Sequence, residues 1–391
     1  MDPLLKGDIS WAVVLIVVLK AAVTFVVVLL SVLFMVWYER KIIAYMQNRV
    51  GPNRAGPFGI LQSLADGIKL FFKEALTPTR ADVTVFRLAP YLSMVPAFLA
   101  FSIVPIGGSV TLFGHRTILQ LVDPPVGILF LLAVSSIAVY GVMLAGWSSG
   151  SKYPLLGAVR ASAQMVSYEA ALGLSVAAVV LVTGSLSTRA IIDDQRGPIW
   201  HWNMVRLGFV PFVIFLIAAT AELNRPPFDL VEAEQELVGG FNTEYSSIGF
   251  ALFYLAEFMN TVTMSAIIVT LFLGGPYGPN LHVWGLHQVS IVWFVIKVFA
   301  FLFTYVWLRA TLPRLRYDQL MDLGWKRLIP ISLGWLLVLA AMIVDRSYGI
   351  AVFAGAVVAG LLLARAVQVG QRATDEEAAL HGPTRRLGRE T

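Results

Sequence analysis

Carboxyl groups crowd into one stretch of an otherwise basic chain. Between positions 222 and 244 stand Glu222, Asp229, Glu232, Glu234, Glu236 and Glu244, against the single base Arg225, on a chain of net charge +5. Three more ionisable groups, Glu169, Glu257 and Lys297, interrupt long apolar runs. A charge near the middle of a membrane helix costs about 2.5–3.5 kcal/mol even on a lenient scale, and such groups usually line a bundle interior or a hydrated path. A carboxyl withdrawn from water can take up and release a proton near neutral pH. Several within reach of bridging water make a proton relay. Its candidate members are Glu169, Glu222, Asp229, Glu232, Glu234, Glu236, Glu257 and Lys297, with the acidic loop as the mouth. The competing readings are a solvated acidic loop and structural pairing, for example of Lys297 with Glu257 or Glu169. Lys20, in the first apolar run, can snorkel to an end and is set aside.

The elements that must hold these groups follow from composition. Of 391 residues, 58% are hydrophobic and only 14% charged, and the mean hydropathy is +0.76. A water-soluble surface needs roughly 25% charged residues. The fold class is therefore an all-α polytopic membrane protein with about eight or nine transmembrane helices, each of roughly 17–25 apolar residues. The spans are expected at Trp11–Val36, Leu88–Ile106, Val126–Trp147, Ala161–Val182, Met204–Ala221, Ile248–Leu273, Val289–Leu308, Leu328–Val344 and Ile350–Val369. The first is too long for a cleaved leader. The segments after the odd-numbered spans hold 21 of the 29 basic residues, which places them inside and the amino terminus outside. The ninth span is the weakest, because only Asp345, Arg346 and Ser347 separate it from the eighth. Residues 1–370 read as a single transmembrane domain, and 371–391 as a basic, disordered cytoplasmic tail.

Two inner loops are more than connectors. Phe58–Ala75 puts Ile60, Leu61, Leu64, Ile68, Phe71 and Phe72 on one face and Gln62, Asp66, Lys69 and Lys73 on the other, which predicts an amphipathic helix on the membrane surface or beneath a partner. In the acidic loop, about 222–247, Pro226-Pro227 block a helix, whereas Leu230–Val238 can form one, with Asp229, Glu232 and Glu236 along one side. The absence of cysteine excludes disulfides, thiol catalysis and cysteine-ligated iron–sulfur clusters. The five histidines show no metal-ligand spacing, so no metal site is expected. Phosphate-loop and dinucleotide fingerprints are missing as well.

The inner loops carry a resemblance. Glu39-Arg40-Lys41, then Gln47-Asn48-Arg49-Val50-Gly51-Pro52-Asn53-Arg54-Ala55-Gly56-Pro57, resembles the first loop of the membrane H-type (subunit 1) family of respiratory complex I, the proton-pumping NADH:quinone oxidoreductase. The likeness continues through Lys69–Glu74, Gly146–Ser149 with Ser151-Lys152-Tyr153, and Ala163-Gln164 with Ser167-Tyr168-Glu169. It goes on in Asn224-Arg225-Pro226-Pro227-Phe228-Asp229-Leu230, in Glu236-Leu237-Val238 and in Arg314 with Arg316–Met321. It spans about residues 35–330. Gln235 stands where most relatives have Ser, and the ninth span exceeds the family's usual eight.

The resemblance implies a subunit that forms the membrane part of a quinone-binding chamber and couples quinone reduction to a glutamate-lined proton path. Arg40, Arg49, Asp66, Arg314 and Arg316 are the candidate chamber polar groups. No complete active site belongs to this chain alone. Quinone is the substrate, and FMN, NADH and iron–sulfur clusters belong to partner subunits. The implied partners are the other membrane and peripheral complex I subunits, including the iron–sulfur and quinone-site chains, together with membrane lipid; no nucleic acid is implied. The setting is the bacterial cytoplasmic membrane. Two alternatives stay open: the equivalent subunit of a membrane-bound hydrogenase or a ferredoxin- or coenzyme-linked complex, and a stand-alone secondary transporter, which would be expected to show inverted repeats.

Overall fold

A computed structural model describes residues 10–112, 114–230, 238–278, 290–345 and 347–355, with Arg365. The chain order is α1 (Trp11–Met46), α2 (Gln62–Phe72), α3 (Val83–Phe101), the strands β1 (Ser109–Leu112) and β2 (His115–Ile118), α4 (Gly127–Ser148), α5 (Lys152–Thr183), α6 (Thr188–Asp194), α7 (Asn203–Arg206), α8 (Phe209–Glu222), α9 (Ser247–Phe272), α10 (Ser290–Thr311), α11 (Tyr317–Asp322) and α12 (Ile329–Val344). A π-helical stretch, Leu323–Leu328, joins the last two, so that Tyr317–Val344 is continuous. Among the described residues seven helices are long and apolar enough to cross a membrane, and α8 is a shorter eighth. This is an all-α polytopic membrane protein.

Each expected span contains helix, but local chemistry moves the ends. The second starts at Val83, because the Asp82 carboxylate accepts from the N–H groups of Thr84 and Val85. It stops at Phe101, and the Ile103 carbonyl beyond it accepts from the Gln120 side-chain amide at 2.9 Å. The fourth starts at Lys152, since Pro154 fits a first helical turn, where the missing N–H would be unpaired anyway. The fifth is broken: Gly208, with φ +76°, separates α7 from α8. The 14 residues of α8 rise only about 21 Å, short of a ~30 Å hydrocarbon core. Residues 347–355 are helical; most of the expected ninth span and all of the tail lie outside the described residues.

By packing, the chain divides at Ser332/Leu333. In the first unit α9 is the most buried span and α1 the least. Helices α3, α4, α5 and α8 succeed one another as neighbours, and α9 lies against α3, α1 and α10. Phe86 of α3 stacks on Tyr245 at 4.0 Å, with Phe253 edge-on to Tyr245. Gly157 lets the backbone of Gly240 approach so closely that a Cβ would stand 2.8 Å from its Cα, which draws the end of the acidic loop onto α5. In the second unit Trp335 meets Phe353 edge-on at 6.0 Å.

The amphipathic helix is present as a 3₁₀ turn at Pro57–Gly59 followed by α2. Its apolar side chains Leu64, Ile68, Phe71 and Phe72 are exposed, so this face is not part of the chain's own core. The Ser247 hydroxyl meets its end, 2.7 Å from the Lys73 carbonyl oxygen and 3.0 Å from that of Leu70.

Candidate functional site

The acidic loop, α1, α9 and α10 meet at one end of the bundle. Their meeting point is Arg225, the lone base of the acidic loop, which is 3% exposed. Its Nη1 donates to Glu39 Oε2 at 2.6 Å, and its Nε lies 3.1 Å from Glu257 Oε1. The guanidinium rests on the Phe258 ring at 4.4 Å. Arg309 of α10 donates to the other oxygen of Glu39. Burial works against the charge of Arg225, but Glu39 and Glu257 outweigh it and raise its pKa. The result is a chain of ion pairs, Arg309–Glu39–Arg225–Glu257, drawn from α1, the acidic loop, α9 and α10. Removing one member of a buried pair strands the other and costs about 3–5 kcal/mol.

On one side this chain opens into a cleft of about 410 Å³ lined by Glu39, Arg40, Arg49, Tyr254 and Arg309. Arg40 donates to Asp66 of α2 at 2.6 Å, and Arg49 to Gln47 at 2.7 Å. Two chamber candidates therefore line the cleft, and a third is bound to one of them. Arg314 instead pairs at 3.1 Å with Asp229, a buried acid. Arg316, exposed, begins α11, and its backbone N–H donates to Gln319 Oε1.

On the other side Glu257 faces a cavity of about 60 Å³ that it shares with Glu222, Asn242 and Ser93. One water needs roughly 10–15 Å³, so several fit. Three polar atoms on these lining residues, Glu222 Oε2, Asn242 Oδ1 and Ser93 Oγ, are buried without a hydrogen-bond partner. Buried polar groups rarely stay unpaired unless water serves them. A second chamber of about 20 Å³ touches Glu222 and is lined by Ser135, Asn260 and Thr263; the Thr263 hydroxyl is also unpartnered. Glu169 lies beyond. It accepts from Ser136 and is half-buried at the flank of α5.

Lys297 lies elsewhere. Its ammonium donates to the carbonyls of Leu273 (2.6 Å), Gly275 (3.0 Å) and Tyr277 (2.5 Å), over the Trp202 ring at 4.4 Å. These oxygens terminate α9 at the end opposite the acids, roughly 24 Å along the axis from Glu257. The structure brings Glu169, Glu222 and Glu257 together and leaves Lys297 apart. Glu232, Glu234 and Glu236 lie outside the described residues. Among the described residues no cluster of side chains could hold a metal ion.

The NADH dehydrogenase family model matches residues 19–340, a stretch that contains α2, the cleft, the ion-pair chain and the cavity. The chain belongs to the NADH dehydrogenase family. It is 54% identical over 351 residues to the H-type subunit of the NADH-quinone oxidoreductase of Frankia alni, covering 87% of this chain and 75% of that protein. It is 56% identical over 328 residues to the protein of that name from Frankia casuarinae, with 83% and 72% covered. To the one from Streptomyces avermitilis it is 49% identical over 381 residues, with 93% and 82% covered.

For a member of the NADH dehydrogenase family, three participants were not singled out by reading residues alone. Arg225 was visible as one base among six acids, and such isolation is itself a signal of pairing. Glu39 and Arg309 carried only a motif and a topological charge. Nothing in the spacing joins Glu39 to partners 186 and 270 positions away.

Proposed function

We propose that this chain forms the membrane part of the quinone chamber of a proton-translocating NADH:quinone oxidoreductase and begins the proton route that quinone reduction drives. The name shared by its relatives, the H-type subunit of NADH-quinone oxidoreductase, supports the first half over a hydrogenase component or a lone transporter. The observation that carries the second half is the unbroken series from the cleft, through the ion-pair chain, to a cavity holding unpartnered buried oxygens.

Reduction of a quinone to a quinol takes up two electrons and two protons. The chain has no cysteine, so the electrons come from an iron–sulfur partner, which in turn draws on partners carrying FMN and NADH. In the cleft, Arg40, Arg49 and Arg309 orient the quinone head, with Asp66 positioning Arg40 and the Asp229–Arg314 pair tying the acidic loop to the last one. Arg316 extends the basic rim toward the peripheral subunits. A charge change at the head perturbs Arg309 and, through the shared carboxylate of Glu39, loosens Arg225 from Glu257. Glu257 then exchanges a proton by way of cavity water with Glu222. Glu232, Glu234 and Glu236 feed this cavity from the acidic loop. Glu169, at the flank of the chain, passes the proton to the neighbouring membrane subunits. The chain is a multi-pass membrane protein; we place it in the cytoplasmic membrane with the basic loops and tail inside and the amino terminus outside.

In inverted membrane vesicles, Glu222→Gln and Glu236→Gln complexes should pump roughly tenfold or more slowly than the parent at equal complex content, because each lacks a group that can exchange a proton. Normal pumping by either removes that residue from the relay.

A further inference from the structure

Glu222 and Glu169 lie on α8 and α5, and α4 reaches both of them. At the point where α4 passes them it carries two adjacent hydroxyls in an apolar run, Ser135 and Ser136. Ser135 and Glu222 line the same small chamber. Ser136 donates to Glu169 Oε1. Each serine oxygen also lies 2.9 Å from the same backbone oxygen, the carbonyl of Leu132. That shared acceptor fixes the distance between them: the two hydroxyls are at most about 6 Å apart, within the span of one bridging water.

We propose that Ser135 and Ser136 form the hand-off that carries a proton from Glu222 to Glu169. This rests on the relay reading of those two glutamates. A serine hydroxyl has one proton to donate and two lone pairs to accept with, so neither can donate to its carboxylate and to Leu132 at once. When a glutamate is ionised, its serine donates to it. When that glutamate is protonated, it donates to the serine, which turns its own proton to the Leu132 carbonyl. Both states leave every donor satisfied, so the hydroxyls reorient without stranding a buried polar group. In one transfer Glu222 gives its carboxyl proton to Ser135 and is left a carboxylate. Ser135 gives up its former hydroxyl proton to a bridging water, which passes one of its own to Ser136. Ser136 gives its former hydroxyl proton to the Glu169 carboxylate, which becomes the acid. Each hydroxyl and the water gains one proton and loses one, no electron moves, and rotation against Leu132 resets the pair. These are positioning and conducting groups that never touch quinone.

Threonine and valine have the same shape and differ by a hydroxyl against a methyl, so a pair of double variants isolates the proton chemistry from packing. In the intact complex in inverted vesicles, Ser135→Thr/Ser136→Thr is expected to pump within about twofold of the parent. Ser135→Val/Ser136→Val is expected to fall roughly tenfold or more, with an unchanged KM for quinone. Equal pumping by the two variants, whether both normal or both impaired, overturns the proposal. If the valine pair fails to assemble, Ser136→Ala against Ser136→Thr makes the same comparison under the same criterion. Glu222→Gln serves as the control: normal pumping there defeats the relay reading itself, whereas impaired pumping there with normal pumping by the valine pair defeats only the serine hand-off.

Discussion

The two halves of α9 meet charge in opposite ways. In its first half, Glu257 meets Arg225 and a cavity lined by another carboxyl. At its finish, the Lys297 ammonium is held by three backbone carbonyls. Both arrangements satisfy the requirement that a buried charge be paired, but they differ in what the partners can do. A carboxylate and a guanidinium can exchange partners, and the carboxylate can take a proton. A backbone carbonyl does neither; it only closes a helix end whose last oxygens lack intrahelical donors. An ionisable residue in a span is thus not a functional group by position alone. Its partners decide, and only the first half has partners that titrate.

Breaking the pairing at the first half should have the largest effect. Arg225→Met removes the buried partner of Glu39, and the loss of about 3–5 kcal/mol should show as a reduced amount of assembled complex on native gels and reduced turnover in what remains. Lys297→Met strands three carbonyls, worth about 1–3 kcal/mol, and should lower the thermal midpoint. The protons pumped per NADH oxidised by the surviving complex should stay the same; a fall in that ratio would put Lys297 back among the relay groups. Arg49→Ala should raise the KM for short-tail quinones by roughly three- to tenfold, on the order of 1 kcal/mol of lost binding, and unchanged constants would remove it from the chamber. Asp66→Asn should matter least for stability. The Arg40–Asp66 pair is 45% and 28% exposed, and such pairs contribute about 0–1 kcal/mol, so a shift in melting beyond that range would mean the pair is more shielded than it looks.

The spans were legible because run length alone reports a membrane-crossing helix. The brevity of α8 was not, since it depends on the backbone of Gly208. It also depends on Asn203, whose N–H donates to Gln195 and whose side-chain amide donates to the Leu271 carbonyl. The amphipathic helix was readable from its two faces, but its end at Phe72 rather than Ala75 goes with a contact from Ser247, more than 170 positions on. At the site, the acids could be named as a group from their excess over what topology requires. Their partners could not be named, because periodicity within a loop or span carries no information about which distant side chain it faces. Lys297 shows the same limit: its place in a span made it a relay candidate, with pairing to a glutamate as the competing reading, and folding supplied carbonyls from a turn.

The most direct test follows Glu222 itself. Infrared difference spectra of the assembled complex, recorded between its oxidised and quinone-reduced states, should contain a protonated-carboxyl band that disappears in Glu222→Gln and persists in Lys297→Met. A spectrum in which Glu222→Gln leaves every carboxyl band in place would contradict the account, because that side chain would then hold the same protonation state throughout turnover.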